Sequence, residues 1–155
     1  MKKMHLMVFF ALFVTGIGSG HANKEKEECD VKNAVVFENP RVFLPMGNKP
    51  TGGFVHIKNN CATEVELIFQ KADGFKAVET HITVEEDGKM AMKRVESFKI
   101  APKGALELVP RGKHLMLFEP TKKWKEGDTV DLTFTINKVT RTVAFPMISR
   151  MEKHH

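Results

Sequence analysis

No Cys-x-x-Cys motif occurs in this chain, and its two cysteines, Cys29 and Cys61, are widely separated. That weighs against thiol–disulfide catalysis of the paired-cysteine kind. No Ser/His/Asp motif, paired-carboxylate signature or phosphate-binding glycine loop is present, so nothing marks the chain as an enzyme. Arginines do not cluster among aromatics, and a formal net charge of +5 is only a mild excess, so nucleic acid is not an expected partner. The strongest basic cluster, Lys122, Lys123 and Lys125 around Trp124, reads as a solvated loop rim, with docking of an acidic partner as the functional alternative. No internal repeat, low-complexity tract or sustained helical period follows the N-terminal segment.

That segment reads as an address. Lys2 and Lys3 precede an almost unbroken apolar stretch over residues 6–17, and Gly20-His21-Ala22 supplies a small-residue cleavage tripeptide. This is the layout of a secretory signal peptide over 1–22, cut after Ala22, which places the protein in the periplasm. The apolar stretch is too short to span a bilayer comfortably, so no stable membrane insertion is expected after cleavage. No cysteine follows it directly, which weighs against a lipoprotein anchor. The 133 residues that remain carry a net charge of +3 and suit one ordinary domain. In an oxidising compartment Cys29 and Cys61 most simply form one disulfide, with two free thiols as the alternative.

The remaining pattern is all-β. Alternating or apolar runs cover 33–43, 54–58, 64–70, 76–84, 90–95, 97–100, 105–109, 114–118, 129–137 and 141–145. Turn signals separate them, and Asp87-Gly88 between two such runs marks a hairpin. Many short strands in one domain, 23–146, predict a sandwich or Greek-key barrel. Residues 147–155 read as a short tail.

The soft side chains are the feature to explain. His81, Met92, His114 and Met116 offer two imidazoles and two thioethers with no thiolate, a neutral set suited to Cu(I). Residues i and i+2 of a strand share a face, so His114 and Met116 point one way while Leu115 and Leu117 point into the core. The same rule joins Met90 to Met92, and the Asp87-Gly88 hairpin brings the His81 strand beside them. Thioethers need no deprotonation to bind, although the imidazoles must be neutral. Taken singly, such residues mean less: a strand methionine such as Met46, Met90 or Met147 is most often filler, and His56 most often faces solvent.

From about residue 35 to 145 the chain resembles the periplasmic copper chaperones of the PCu(A)C family. The carrying segments include Glu86-Asp87-Gly88-Lys89-Met90-Ala91-Met92 and Gly112-Lys113-His114-Leu115-Met116-Leu117. The family signature is a His, a Met eleven positions on, and a His-x-Met pair twenty-two positions beyond it. His81, Met92, His114 and Met116 match all four positions. The resemblance implies a cupredoxin-like Greek-key β-barrel, one Cu(I) per monomer, and delivery by ligand exchange towards the copper site of cytochrome oxidase. The implied partners are a copper-accepting membrane oxidase subunit and a Sco-type thiol protein. The cysteine pair is not a family trait, and the disulfide rests on compartment alone. Some relatives carry a Met/His-rich extension with a second copper site. Met147, Met151, His154 and His155 offer a sparse version, a weak second site at most. The competing readings are a copper scavenger or buffer, an electron-transfer cupredoxin, and a metal-free β-sandwich interaction module.

Overall fold

The computed structural model describes residues 28–150; the expected signal peptide and Met151, His154 and His155 lie outside the described residues. One helical turn, α1 (Val31–Ala34), leads into β1 (Val35–Phe43), β2 (Thr51–Asn59), β3 (Val65–Ala72), β4 (Phe75–Glu86) and β5 (Lys89–Val95). Then follow β6 (Phe98–Ile100), β7 (Ala105–Leu108), β8 (His114–Pro120), β9 (Thr129–Ile136) and β10 (Val139–Ile148). Every run expected from the sequence forms a strand. The first begins two residues late because Asp30 caps α1, accepting the Lys32 N–H.

The turns explain the pairing. Asp87 and Gly88 have φ of 51° and 73° and close β4 onto β5 at Glu86↔Lys89. A two-residue turn with both φ positive matches strand twist, and Asp-Gly tolerates it best. The β9–β10 hairpin uses the same conformation at Asn137 and Lys138, with φ of 46° and 69° and no glycine. The Asn137 side chain secures it by accepting the Glu66 N–H at 2.8 Å.

The strands form one hydrogen-bonded path, β5-β4-β8-β2-β1-β10-β9-β3-β6, with β7 also on β2. Only a short parallel contact, Val42↔Met147 and Phe43↔Ile148, joins its two halves. The halves pack face to face as a sandwich, and the path stays open at β5 and β6. The fold is therefore the all-β cupredoxin-like Greek-key class in its sandwich form, not a closed barrel. Val42, Ile57, Leu115 and Leu117 from one sheet meet Leu67, Leu132, Phe134 and Phe145 from the other in a single core.

β10 passes the expected boundary at 146. The Met147 N–H donates to the Asp128 carbonyl at 2.7 Å, and its side chain is a core residue. Met147 is therefore not part of a tail and offers no thioether to a second copper site.

Cys29 and Cys61 are bonded, tying the segment before α1 to the end of β2. Beside them Asn59 is buried and fully used. Its amide donates to the carbonyls of Thr63, Ile100 and Ala101, and its oxygen accepts the Cys61 N–H at 2.9 Å. Trp124 stacks on Phe75 at 5.3 Å and lies against Gly74, where a Cβ would meet the indole at 2.3 Å. The indole within the basic cluster is thus a packing residue, with Lys122, Lys123 and Lys125 exposed around it.

Candidate metal centre

β4 lies between β5 and β8, and register decides what its outer face carries. His81 stands opposite His114, Glu79 opposite Met116, Thr83 opposite Met92 and Glu85 opposite Met90. Directly opposite residues of an antiparallel pair share a face. All four expected ligands therefore project from the outer face of one three-strand patch, with Met90 beside them. The inner face carries Thr80, Leu115 and Leu117, all buried. The alternation expected of the His114 segment is what the sheet shows, and no long loop is needed to gather the four.

Both imidazoles are held in one tautomer. His81 Nε2 lies 2.8 Å from Glu79 Oε2. A carboxylate only accepts, so Nε2 carries the hydrogen and the neutral ring leaves its lone pair on Nδ1. That Nδ1 is buried and has no hydrogen-bond partner. His114 is fixed the other way round: its Nδ1 donates to the Gly112 carbonyl at 2.9 Å, leaving the lone pair on Nε2. Thr83 Oγ1 donates to the same carbonyl at 3.1 Å. The two rings lie 5.6 Å apart, centroid to centroid. Arg94 reaches the other Glu79 oxygen at 3.4 Å, so an Arg–Glu–His chain orients His81. A metal-binding His ordinarily has its second nitrogen held in this way, by a carboxylate or a carbonyl.

The sulfurs differ in exposure. Met92 is 58 % exposed and Met90 67 %, both on the edge strand β5, whereas Met116 is half-buried and His114 only 6 % exposed. Met90, Met92, His114 and Met116 line a common groove floored by Phe43 and Phe54. His81 is not among the lining residues; it stands beside the groove in register with His114. The close approach of β2 keeps the groove open at Met116. Its partner there is Gly52, where a Cβ would collide with the Phe54 ring at 2.7 Å.

No group of three or more His, Cys, Asp or Glu is placed to hold a metal among the described residues. Hard or borderline ions that rely on such groups have no cage there. The donors present, two imidazole nitrogens with the exposed thioether of Met92 and the half-buried one of Met116, fit a soft monovalent ion. Met46 sits exposed on a loop and Met147 in the core, so neither joins the patch. His56 faces out beside Glu38, 3.6 Å away, a partly exposed strand residue as expected. Sequence reasoning missed Glu79, Thr83 and the Gly112 carbonyl. Glu79 was within reach, being two residues from His81 and so on its face.

An LpqE-like family model matches residues 31–147. The chain belongs to the LpqE-like family. No curated protein matches it in sequence. Among solved structures, the LpqE-like fold seen here is similar to a copper-bound PCuAC domain from PmoF2. The two share 19 % identity and a TM-score of 0.63 over 75 % of this chain and 93 % of that one. It is also similar to CuI-DR1885 from Deinococcus radiodurans, with 22 % identity and a TM-score of 0.58 over 77 % and 78 % of the two chains. The apo form of that protein matches over 97 % of this chain, with 21 % identity and a TM-score of 0.58. The PCu(A)C resemblance read from the sequence therefore holds for family and fold.

Proposed function

We propose that this protein is an exported Cu(I) carrier in which His81, Met92, His114 and Met116 hold one ion per monomer. The observation that carries the reading is the pair of fixed tautomers. Two imidazole lone pairs, one of them buried and unpartnered, share a sheet face with two thioethers. Nothing else on that face uses His81 Nδ1, and leaving a polar atom buried without a partner costs about 1–3 kcal/mol. A ligand that completes it accounts for the arrangement. Neutral donors leave Cu(I) at net +1 and would leave Cu(II) at +2 among soft ligands, so the reduced ion is preferred.

Exposure sets the route of exchange. His114 is anchored in the sheet, while Met92 on the edge strand is open to an incoming donor. Copper then passes by stepwise ligand replacement, and no bond in a substrate is broken. The family resemblance supports export to the periplasm and delivery towards the copper site of a membrane oxidase, with a Sco-type protein alongside. The structurally similar PmoF2 domain is copper-bound, and the similar Deinococcus radiodurans protein is CuI-DR1885. An electron-transfer cupredoxin is disfavoured by a specific observation. Blue-copper sites need a thiolate, and both cysteines of the chain are bonded to each other.

The test is an anaerobic Cu(I) titration against a chromogenic chelator. One equivalent withheld from the chelator, with no intense blue colour on adding Cu(II), is the expected result. Failure to compete at all would leave a metal-free interaction module. Delivery is separated from scavenging by respiration of a deletion strain at low copper: rescue by added copper supports delivery.

A further inference from the structure

Resting on the Cu(I)-carrier reading, we propose that the groove beside the metal site docks an acidic segment of the copper-accepting protein, steered by Arg111 and Arg150. The groove has a floor of rings and sulfur, from Phe43, Phe54, Met92 and Met116, with Arg111 and Arg150 in its lining and no carboxylate there. On the same sheet face Arg94 is paired with Glu79 and Lys58 with Glu38. Arg111 and Arg150 have no carboxylate partner among the described residues, and neither has Arg41. Arg150 lies over the Phe43 ring at 5.9 Å and Arg41 over Phe54 at 5.5 Å, so guanidinium groups stand directly against the groove floor. Arg111 is held at φ 66° on the exposed turn before Gly112, whose carbonyl fixes His114.

A cationic rim without counter-charge among the described residues, around a floor that contains thioethers, is complementary to a surface that carries carboxylates around soft donors. Guanidinium groups bind carboxylates through paired hydrogen bonds, which fixes orientation as well as attraction. A small free anion would satisfy the arginines and leave the apolar floor uncovered; a peptide segment covers both. Oppositely charged partners also meet faster, by about 10- to 1,000-fold at low ionic strength.

Two synthetic peptides with one Met-His-Met core, flanked in one case by aspartates and in the other by lysines, serve as acceptors. The protein is first loaded with one equivalent of Cu(I), and transfer is followed by stopped flow. The aspartate peptide is expected to take copper at least about tenfold faster at low salt, with the advantage fading towards 1 M salt. Arg111→Ser/Arg150→Ser should slow that transfer about tenfold with Cu(I) affinity unchanged. Lys122→Ser/Lys123→Ser, the same charge change away from the groove, should slow it less than about twofold. Equal slowing by both double variants would reduce the effect to net charge and overturn the proposal, as would no slowing by either. So would sedimentation showing that the arginine variant instead abolishes a copper-loaded dimer, since the occupant would then be a second copy, docked through its acidic Glu85–Asp87 hairpin tip. Failure of the wild-type protein to retain Cu(I) is scored in the loading step, and it would sink the carrier reading itself.

Discussion

The two ends of β2 carry two different sulfur chemistries. At its C-terminal end, beyond Asn59, the Cys29–Cys61 disulfide is sealed: Cys61 is 1 % exposed and Asn59 ties the surrounding carbonyls together. At its N-terminal end Gly52 faces Met116, and the thioethers of Met90 and Met92 are open to solvent. Roughly seven residues of strand, on the order of 20 Å, separate the two. The thiol sulfurs are spent on a cross-link, while the sulfurs that the proposed carrier would use for ligand exchange are thioethers, which cannot form disulfides. The difference implies a division of labour. On the proposed Cu(I)-carrier reading the cross-linked end holds the fold and the open end the ion, and sites this far apart are expected to contribute independently.

The sharpest way to break that division is at the open end. His114→Ala or Met116→Ala should weaken Cu(I) binding by at least about a hundredfold, since each removes a direct soft donor. The far-ultraviolet circular dichroism should stay that of the wild type. Chelator competition and spectra on the same samples decide it, and a loss of fold in parallel with a loss of copper would merge the two ends. The reverse experiment is next in size. Cys29→Ser/Cys61→Ser opens a 32-residue separation, which in the loop-entropy picture costs about 3–4 kcal/mol of stability. Denaturant melts should show that loss while Cu(I) affinity stays within about twofold, as additivity between distant sites requires.

Local pattern carried much of this into the sequence. The alternation Leu115, Leu117 against His114, Met116 is a two-residue period, and the Asp87-Gly88 turn fixes which strand lies beside Met92. What was not legible is the non-local pairing. Nothing within reach of His81 in sequence says that β8 lies on its other side, with His114 in register. The glycine-free Asn137-Lys138 turn gave no signal of the usual kind, so β10 was expected to start at 141 and not at Val139. Residues 147–155 show no strand period and so read as a tail beyond the domain. The strand continues because the next N–H, from Met147, finds the Asp128 carbonyl. Glu79 shares a face with His81 by simple alternation but carried no signal of a role, because a glutamate on a solvated strand face is the commonest of observations. Only the 2.8 Å contact to His81 gives it a role.

That role is the third way to sharpen the contrast. Glu79→Gln keeps the size but removes the fixed acceptor and the negative charge, so His81 loses the partner that holds its Nδ1 lone pair free. Losses for such outer partners run about 10- to 100-fold in metal affinity. The effect should appear in Cu(I) competition, and nitrogen chemical shifts of the His81 ring should show the tautomer mixture that follows. An unchanged affinity would mean that the sheet alone positions His81.

The smallest effect belongs to Met90. It shares a face with Met92, lines the same groove and is still more exposed, so a sulfur count alone would rank it as an equal ligand. Register says otherwise. Met92 faces Thr83, whose hydroxyl shares the Gly112 carbonyl with His114, whereas Met90 faces Glu85, a further step out towards the hairpin tip. Met90 stands four residues along β5 from Arg94, the residue in register with His81 and His114, about 13 Å of strand, whereas Met92 stands two residues away, about 6.6 Å. Met90→Ala should therefore change Cu(I) affinity less than about threefold, well under 1 kcal/mol, against a loss of at least about tenfold for Met92→Ala. Equal losses at the two positions would show that the edge strand moves to let either thioether bind. The open end would then be adaptable in its backbone as well as exposed in its side chains.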